Sequence, residues 1–236
     1  MENKKVSKRI LIGCPTYDGQ AFCLDAFVKG LAALTYPDAD ILFVDNSETD
    51  EYAKRLGNLV IPGRKIRVIR DKPSETRISR IISSRNKVRD FFLAEGYDLL
   101  FFLDTDIIPP ADVIDRLLMI FRDIASGIYL CRQRIGDKDM VLPTVYVAHD
   151  DSSVRTVSKD EIRESKVMDI VICGLGCCLI RRAVLEKIAF RPFSESKTGG
   201  EDVAFCLDAK QEGFKAAAET AVRCSHVNRE ETLMFR

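Results

Sequence analysis

Short apolar runs alternate with amphipathic stretches through roughly the first hundred residues. Arg9 to Cys14, Ile41 to Val44, Ile66 to Ile69 and Leu99 to Leu103 read as strands, and Ala21 to Leu34, Glu51 to Leu56 and Arg77 to Glu95 as helices. This alternation is the sequence form of βαβ units and predicts an α/β fold with a mostly parallel sheet. Gly96 suits the left-handed position that closes a helix. Pro109 and Pro110 suit the first turn of a helix predicted to run to about Ala125. Beyond it, Val141 to Ala148 and Val167 to Cys173 read as strands, and the polar stretch Asp150 to Lys166 as a surface loop or flap. A short helix near Arg182 to Ile188, a loop from Phe190 to Gly200, a helix from Glu201 to Glu212 capped by Gly213 and a final strand from Lys215 to Val222 complete the pattern.

A chain of 236 residues is long enough to bury a sizeable core, and a single domain is expected. Its 36 basic and 36 acidic residues cancel, so bulk electrostatic attraction to nucleic acid or to an anionic membrane is not expected. The stretch Ile170 to Ile180 is the longest uncharged apolar run and falls well short of the roughly 20 residues that span a bilayer. The N-terminal segment lacks the apolar core of a signal peptide, which makes a cytoplasmic location the default and leaves peripheral membrane attachment compatible. The eight cysteines lie mostly in apolar segments without a Cys-x-x-Cys pair, so they read as buried free thiols, and structural zinc is not expected.

Candidate chemistry begins where the run Leu99 to Leu103 ends in Asp104-Thr105-Asp106. Residues i and i+2 of a strand share a face, so two acids at the C-terminal end of a buried strand can converge on one Mg2+ or Mn2+ ion; capping of the next turn is the plainer alternative. Arg85 falls in the apolar stripe of its helix among Ile78, Ile81, Ile82, Val88 and Phe92. A guanidinium there requires an anion, either a buried aspartate or a ligand phosphate. Asp45 ends the second strand on the same sheet edge, where it can accept hydrogen bonds from a nucleoside or cap a turn, and Cys14-Pro15-Thr16-Tyr17 ends the first. In Gly199-Gly200-Glu201-Asp202, glycines read as a hinge that allows close approach of a substrate, and two acids begin a helix, where one is suited to taking a proton from a hydroxyl nucleophile.

The ordered set Cys14 to Tyr17, Asp45, Ser84-Arg85-Asn86, Asp104 to Asp106, Gly174 to Arg181, Gly200 to Asp202 and His226 resembles the nucleotide-sugar glycosyltransferases of the GT-A fold, family 2 type, over about 220 residues. The resemblance implies a Rossmann-like, mostly parallel central sheet flanked by helices, with a nucleotide-binding half to about residue 110 and an acceptor-binding half after it. It implies that Pro15, Tyr17 and Asp45 bind the nucleoside, with Arg85 near the nucleotide and Asp104 at the ribose or metal. Asp106 would hold Mn2+ or Mg2+, His226 would complete the metal or phosphate site, and Asp202 would be the base, with Glu201 beside it. The donor would be a UDP or GDP sugar and the acceptor a hydroxyl on a saccharide or lipid-linked carrier. Inversion follows from attack opposite the leaving diphosphate, although the motifs leave retention open. The chain lacks tryptophan and the Gln-x-x-Arg-Trp motif of processive members, which argues against a polysaccharide synthase. A nucleotidyltransferase of similar fold and a non-catalytic nucleotide-sugar binding module are the competing readings.

Overall fold

The computed structural model describes residues 8–72, 74, 76–150, 153–193 and 200–235. In chain order its strands are β1 (Ile10–Thr16), β2 (Ala39–Asp45), β3 (Ile66–Arg70), β4 (Leu99–Leu103), β5 (Ile107–Ile108), β6 (Ile124–Ile128), β7 (Leu130–Ile135) and β8 (Lys138–Pro143). They continue with β9 (Val145–Ala148), β10 (Val154–Thr156), β11 (Val167–Ile170), β12 (Ile172–Cys173), β13 (Cys177–Arg181), β14 (Ala216–Arg223), β15 (Ser225–Val227) and β16 (Thr232–Leu233). The helices are α1 (Leu24–Ala33), α2 (Glu51–Gly57), α3 (Arg77–Ala94), α4 (Val113–Leu118), α5 (Arg182–Lys187) and α6 (Glu201–Gln211).

Eight strands form one sheet in the order β11-β14-β6-β13-β4-β1-β2-β3. The block of β4, β1, β2 and β3 is parallel, whereas β13 runs antiparallel between β4 and β6. Alternation along each strand splits the core in two. Ile10, Ile12, Phe101 and Leu103 pack with α1, α2 and α4 on one face, and Leu11, Leu100 and Phe102 pack with α3, α5 and α6 on the other. Burial on both faces explains why these strands are continuously apolar. Gly13 lets α3 approach, since a Cβ there would lie 2.3 Å from Val88 Cγ1. Thr76 caps α3 by accepting from the Ser79 amide at 3.2 Å, and Gly96 and Gly213 take the positive φ values of 70° and 84° that close α3 and α6.

Several elements differ from the sequence pattern. The helix expected to reach Ala125 ends at Leu118: Phe121 turns the chain with a positive φ of 53°, and Ile124–Ile128 is drawn into the buried centre of the sheet. The strand expected over Val141 to Ala148 breaks at Thr144, whose amide bonds the Tyr129 carbonyl, so β8 folds back on β7 while β9 joins a separate small sheet. Val167 to Cys173 likewise divides, with β11 at the edge of the large sheet and β12 beside β9. The expected flap at 150–166 contains β10, paired with β9; residues 151–152 of it, and residues 194–199 of the expected loop before α6, lie outside the described residues. The chain also continues past the expected last strand: β15 pairs with β5 and β16. All eight cysteines are free, and all but Cys131 are buried.

Candidate active site

Strands β1, β2 and β4 run parallel, so Thr16, Asp45 and Asp104 leave the sheet at one edge. Two adjoining cavities of about 400 and 500 Å3 open there and share Arg77, Ile81, Arg85, Asp104 and Asp106. The first is walled by Pro15, Thr16, Tyr17, Gln20 and Asn46, and the second by Tyr129, Gln133, Tyr146, Glu201, Asp202 and His226. The two acids at the end of β4 therefore stand where the two cavities meet.

Arg85 organises the floor. Its Nε donates to Glu201 Oε1 at 2.8 Å and its Nη2 to Asp104 Oδ1 at 3.2 Å, while the guanidinium lies 5.0 Å from the Phe102 ring. Burial opposes its charge, but Asp104 and Glu201 together more than offset that, so its pKa is raised. Its Nη1 is buried without a hydrogen-bond partner. The anion that the helix stripe required is thus supplied from within the chain, by one acid 19 and another 116 residues along. Asp104 is pushed up by desolvation and by its neighbours Asp106 and Glu201, against the pull of Arg85.

Asp106 and His226 meet across the cleft with Oδ2 and Nε2 3.6 Å apart. His226 Nδ1 lies 2.8 Å from the Leu130 carbonyl, which can only accept, so Nδ1 carries a proton and the neutral ring turns its Nε2 lone pair toward Asp106. Burial pulls the His226 pKa down, but the contact with Asp106 and the Leu130 carbonyl outweigh it and raise it. The histidine is brought there by backbone: it pairs with Ile107, and the Val227 amide donates to the Asp106 carbonyl at 2.8 Å. Gln20 Nε2 donates to Asp106 Oδ2 at 3.2 Å. Among the described residues no group of three or more His, Cys, Asp or Glu side chains is placed to hold a metal ion. Among the described residues, Asp106 and His226 face each other in the cleft without contact to Arg85, which engages Asp104 and Glu201.

Asp202 opens α6 and its Oδ1 accepts from the Val203 amide at 2.8 Å. Desolvation, then the adjacent Glu201, pushes its pKa up to about 6. Gly200 is extended, with φ −98° and ψ −171°, so conformational freedom is not why it is glycine. A Cβ there would stand 2.7 Å from Asp202 Oδ1, so the small residue makes room for the carboxylate itself. Gly199, the other half of the expected hinge, lies outside the described residues. Glu201, expected beside Asp202, is 6% exposed and its Oε1 accepts from Arg85, so its carboxylate is tied into the floor of the cleft.

Asp45 is the expected site residue that does not reach the cleft. Its carboxylate is fully buried and accepts from the Ser47 amide and hydroxyl and from Arg70. With its acceptors filled it ties β2 to β3, and Asn46, next in sequence, lines the cavity instead. Five further residues belong to the cleft and carry weaker sequence signals. Gln20 sits in a short turn. The Thr16 and Thr105 hydroxyls, 3.1 Å apart, join the ends of β1 and β4. Tyr129 donates no sequence pattern, but its partner does: a Cβ on Gly174 or Gly176 would lie 2.3 or 2.9 Å from its hydroxyl, which accepts from the Gly176 amide. Arg77 lines both cavities from the first turn of α3, where a cation opposes the helix dipole, and it has no ion pair among the described residues. A basic residue in that unfavourable position is the signal that would have marked it.

The family described as "Glycosyltransferase like family 2" matches residues 9–236. No curated protein sequence matches the chain. Similar solved structures include A197 from STIV, 18% identical with a TM-score of 0.55 over 97% of this chain and 94% of that one. They also include S. aureus TarS 1-349 in complex with UDP, 16% identical with a TM-score of 0.57, and the same protein in complex with UDP-GlcNAc, 14% identical with a TM-score of 0.56. Each TarS comparison covers 90% of this chain and 58% or 56% of TarS, so the chain spans a little over half of that protein's resolved length. Likeness at such low identity establishes the architecture, and the family match adds lineage: the chain belongs to the family 2-like glycosyltransferases and is built on their GT-A fold.

Proposed function

We propose that this glycosyltransferase moves a sugar from a UDP sugar to an acceptor hydroxyl, with Asp202 as general base and inversion at the anomeric carbon. The observation that carries the reading is the convergence of Asp104, Asp106, His226 and Asp202 on one cleft from three separate stretches of chain. The half of that cleft walled by Pro15, Tyr17 and Asn46 comes from the first hundred or so residues and suits the nucleoside, whereas the half walled by Tyr129, Gln133, Tyr146 and Asp202 suits the acceptor. UDP is favoured over GDP by the UDP and UDP-GlcNAc complexes of TarS.

The donor atoms fit a hard or borderline dication. Asp106 and the Nε2 lone pair of His226 would hold Mn2+ or Mg2+, and two protein donors suffice for ions that normally complete their shell with phosphate oxygens and water. Bound there, the ion would neutralise charge developing on the leaving diphosphate. Asp104, held by Arg85, faces the ribose side. Asp202, with a pKa near 6, is ionised at neutral pH yet basic enough to take the acceptor's proton as the C–O bond forms. Arg85 and Glu201 keep the floor on which both acids stand.

The test is a panel of UDP, GDP, CDP and dTDP sugars with Mn2+ present or chelated, read by thermal shift and by nucleotide release with and without acceptor. A rise in melting temperature for UDP sugars that needs Mn2+, with acceptor-dependent release of UDP, is expected. No shift with any nucleotide sugar overturns the donor reading, release of sugar 1-phosphate instead of nucleoside diphosphate points to a nucleotidyltransferase, and a product of retained anomeric configuration by NMR overturns inversion.

A further inference from the structure

The wall near Asp202 carries a pair of side chains that the transfer step itself does not require. Tyr146 on β9 donates its hydroxyl proton to Gln133 Oε1 on β7 at 2.9 Å, and both side chains line the same cavity as Asp202. This bond orients the amide. Its oxygen is engaged, so the group left without a partner among the described residues is the Gln133 NH2, with two N–H donors. The Tyr146 oxygen, having given its proton, keeps lone pairs that can accept. Burial raises the Tyr146 pKa and nearby Asp202 adds to it, so the phenol keeps the proton it donates to Gln133. The cavity therefore presents a hydrogen-bond donor and a hydrogen-bond acceptor side by side, at a fixed place on the β7 and β9 backbones.

A sugar hydroxyl matches such a pair, because its oxygen accepts and its proton donates. On a sugar ring, the hydroxyl that reacts at Asp202 has such neighbours one carbon away. A phosphate offers acceptors only, so it leaves the Tyr146 lone pairs unmet and brings negative charge toward an already crowded carboxylate. We infer that Gln133 and Tyr146 recognise a neutral saccharide acceptor through a hydroxyl adjacent to the reacting one, and so set acceptor specificity. This inference rests on the transferase reading of the cleft and deepens it.

The experiment takes a UDP sugar that stabilises the protein in the thermal-shift panel and measures UDP release against methyl glycosides of glucose, galactose, mannose and N-acetylglucosamine, and against farnesyl phosphate. A neutral glycoside is expected to stimulate release. Gln133→Glu still accepts the Tyr146 proton and conserves packing, but it has no N–H to offer. It should raise the KM for that glycoside roughly 5- to 30-fold, the cost of one lost hydrogen bond beside a carboxylate, with the donor-induced thermal shift unchanged. Tyr146→Phe should raise the same KM with the same selectivity. A purely structural tie would leave the Gln133→Glu acceptor KM within about twofold of the parent, and that result overturns the inference. Stimulation by farnesyl phosphate alone, or by no neutral glycoside, overturns it also while leaving donor binding standing. Absence of binding by every nucleotide sugar instead fails the transferase reading and takes this inference with it.

Discussion

Replacing Arg85 by methionine removes the cation beneath the cleft while keeping an unbranched apolar stem against Phe102. Arg85 and Glu201 are 4% and 6% exposed, so the glutamate left behind cannot be rehydrated, whereas the Asp104 side chain is 31% exposed and can be. Losing one partner of a buried pair costs about 3–5 kcal/mol, because an uncompensated charge remains. In a domain of this size that lowers the melting temperature by roughly 6–20 °C. The companion Arg85→Met/Glu201→Met, which removes both charges, should recover most of the stability yet stay slow in turnover, since Asp104 has lost the guanidinium that holds it. Chemical denaturation of the two variants is the assay. A single variant within about 1 kcal/mol of the parent, or a double variant no more stable than the single, would refute the argument.

Four other outcomes follow from the site. Asp202→Asn should slow transfer at least 100-fold, within the roughly 10²–10⁴ range of general-base effects, while donor-induced thermal stabilisation stays intact; equal loss of donor affinity refutes its assignment as base. In the parent, kcat/KM should fall as pH drops through about 6, because the base must be unprotonated, and a profile flat from pH 5 to 8 contradicts that. Gly200→Ala places a methyl carbon 2.7 Å from Asp202 Oδ1 and should depress kcat through displacement of the carboxylate, with circular dichroism and melting temperature near the parent's. Asp106→Ala should abolish the Mn2+-dependent part of donor stabilisation in the same thermal assay, and persistence of that part argues against Asp106 as a metal ligand.

The strands β1, β2 and β4 and the helix α3 were legible because burial on both faces writes an uninterrupted apolar run, and because Gly96 carries the chemistry of a helix end. The diacid was legible for the same reason, since an apolar run can only end in two carboxylates where the sheet meets solvent. Arg85 announced that it needed an anion, but its principal partner lies 116 residues away, and no local pattern encodes that distance. Asp45 shows the converse limit. Its position at the sheet edge could be read, yet whether the carboxylate turns outward depends on Ser47 and Arg70, which claim it first. The β7–β8 hairpin escaped notice because Arg132, Gln133 and Arg134 are polar on both faces, so period-two alternation is absent where one face borders a wet cleft. Three-residue β15 is too short for any periodicity, and only the family resemblance pointed to His226.

Because His226 rides on a short strand laced to the residue after Asp106, the gap between the two side chains is dictated by main-chain pairing more than by rotamer choice. That lacing is a ribbon of strands only two to three residues long. Were it to open, the histidine would leave the cleft while the eight-stranded sheet, which the ribbon does not join, kept its own pairings. Hydrogen exchange at the Val227 amide would report how often the ribbon opens.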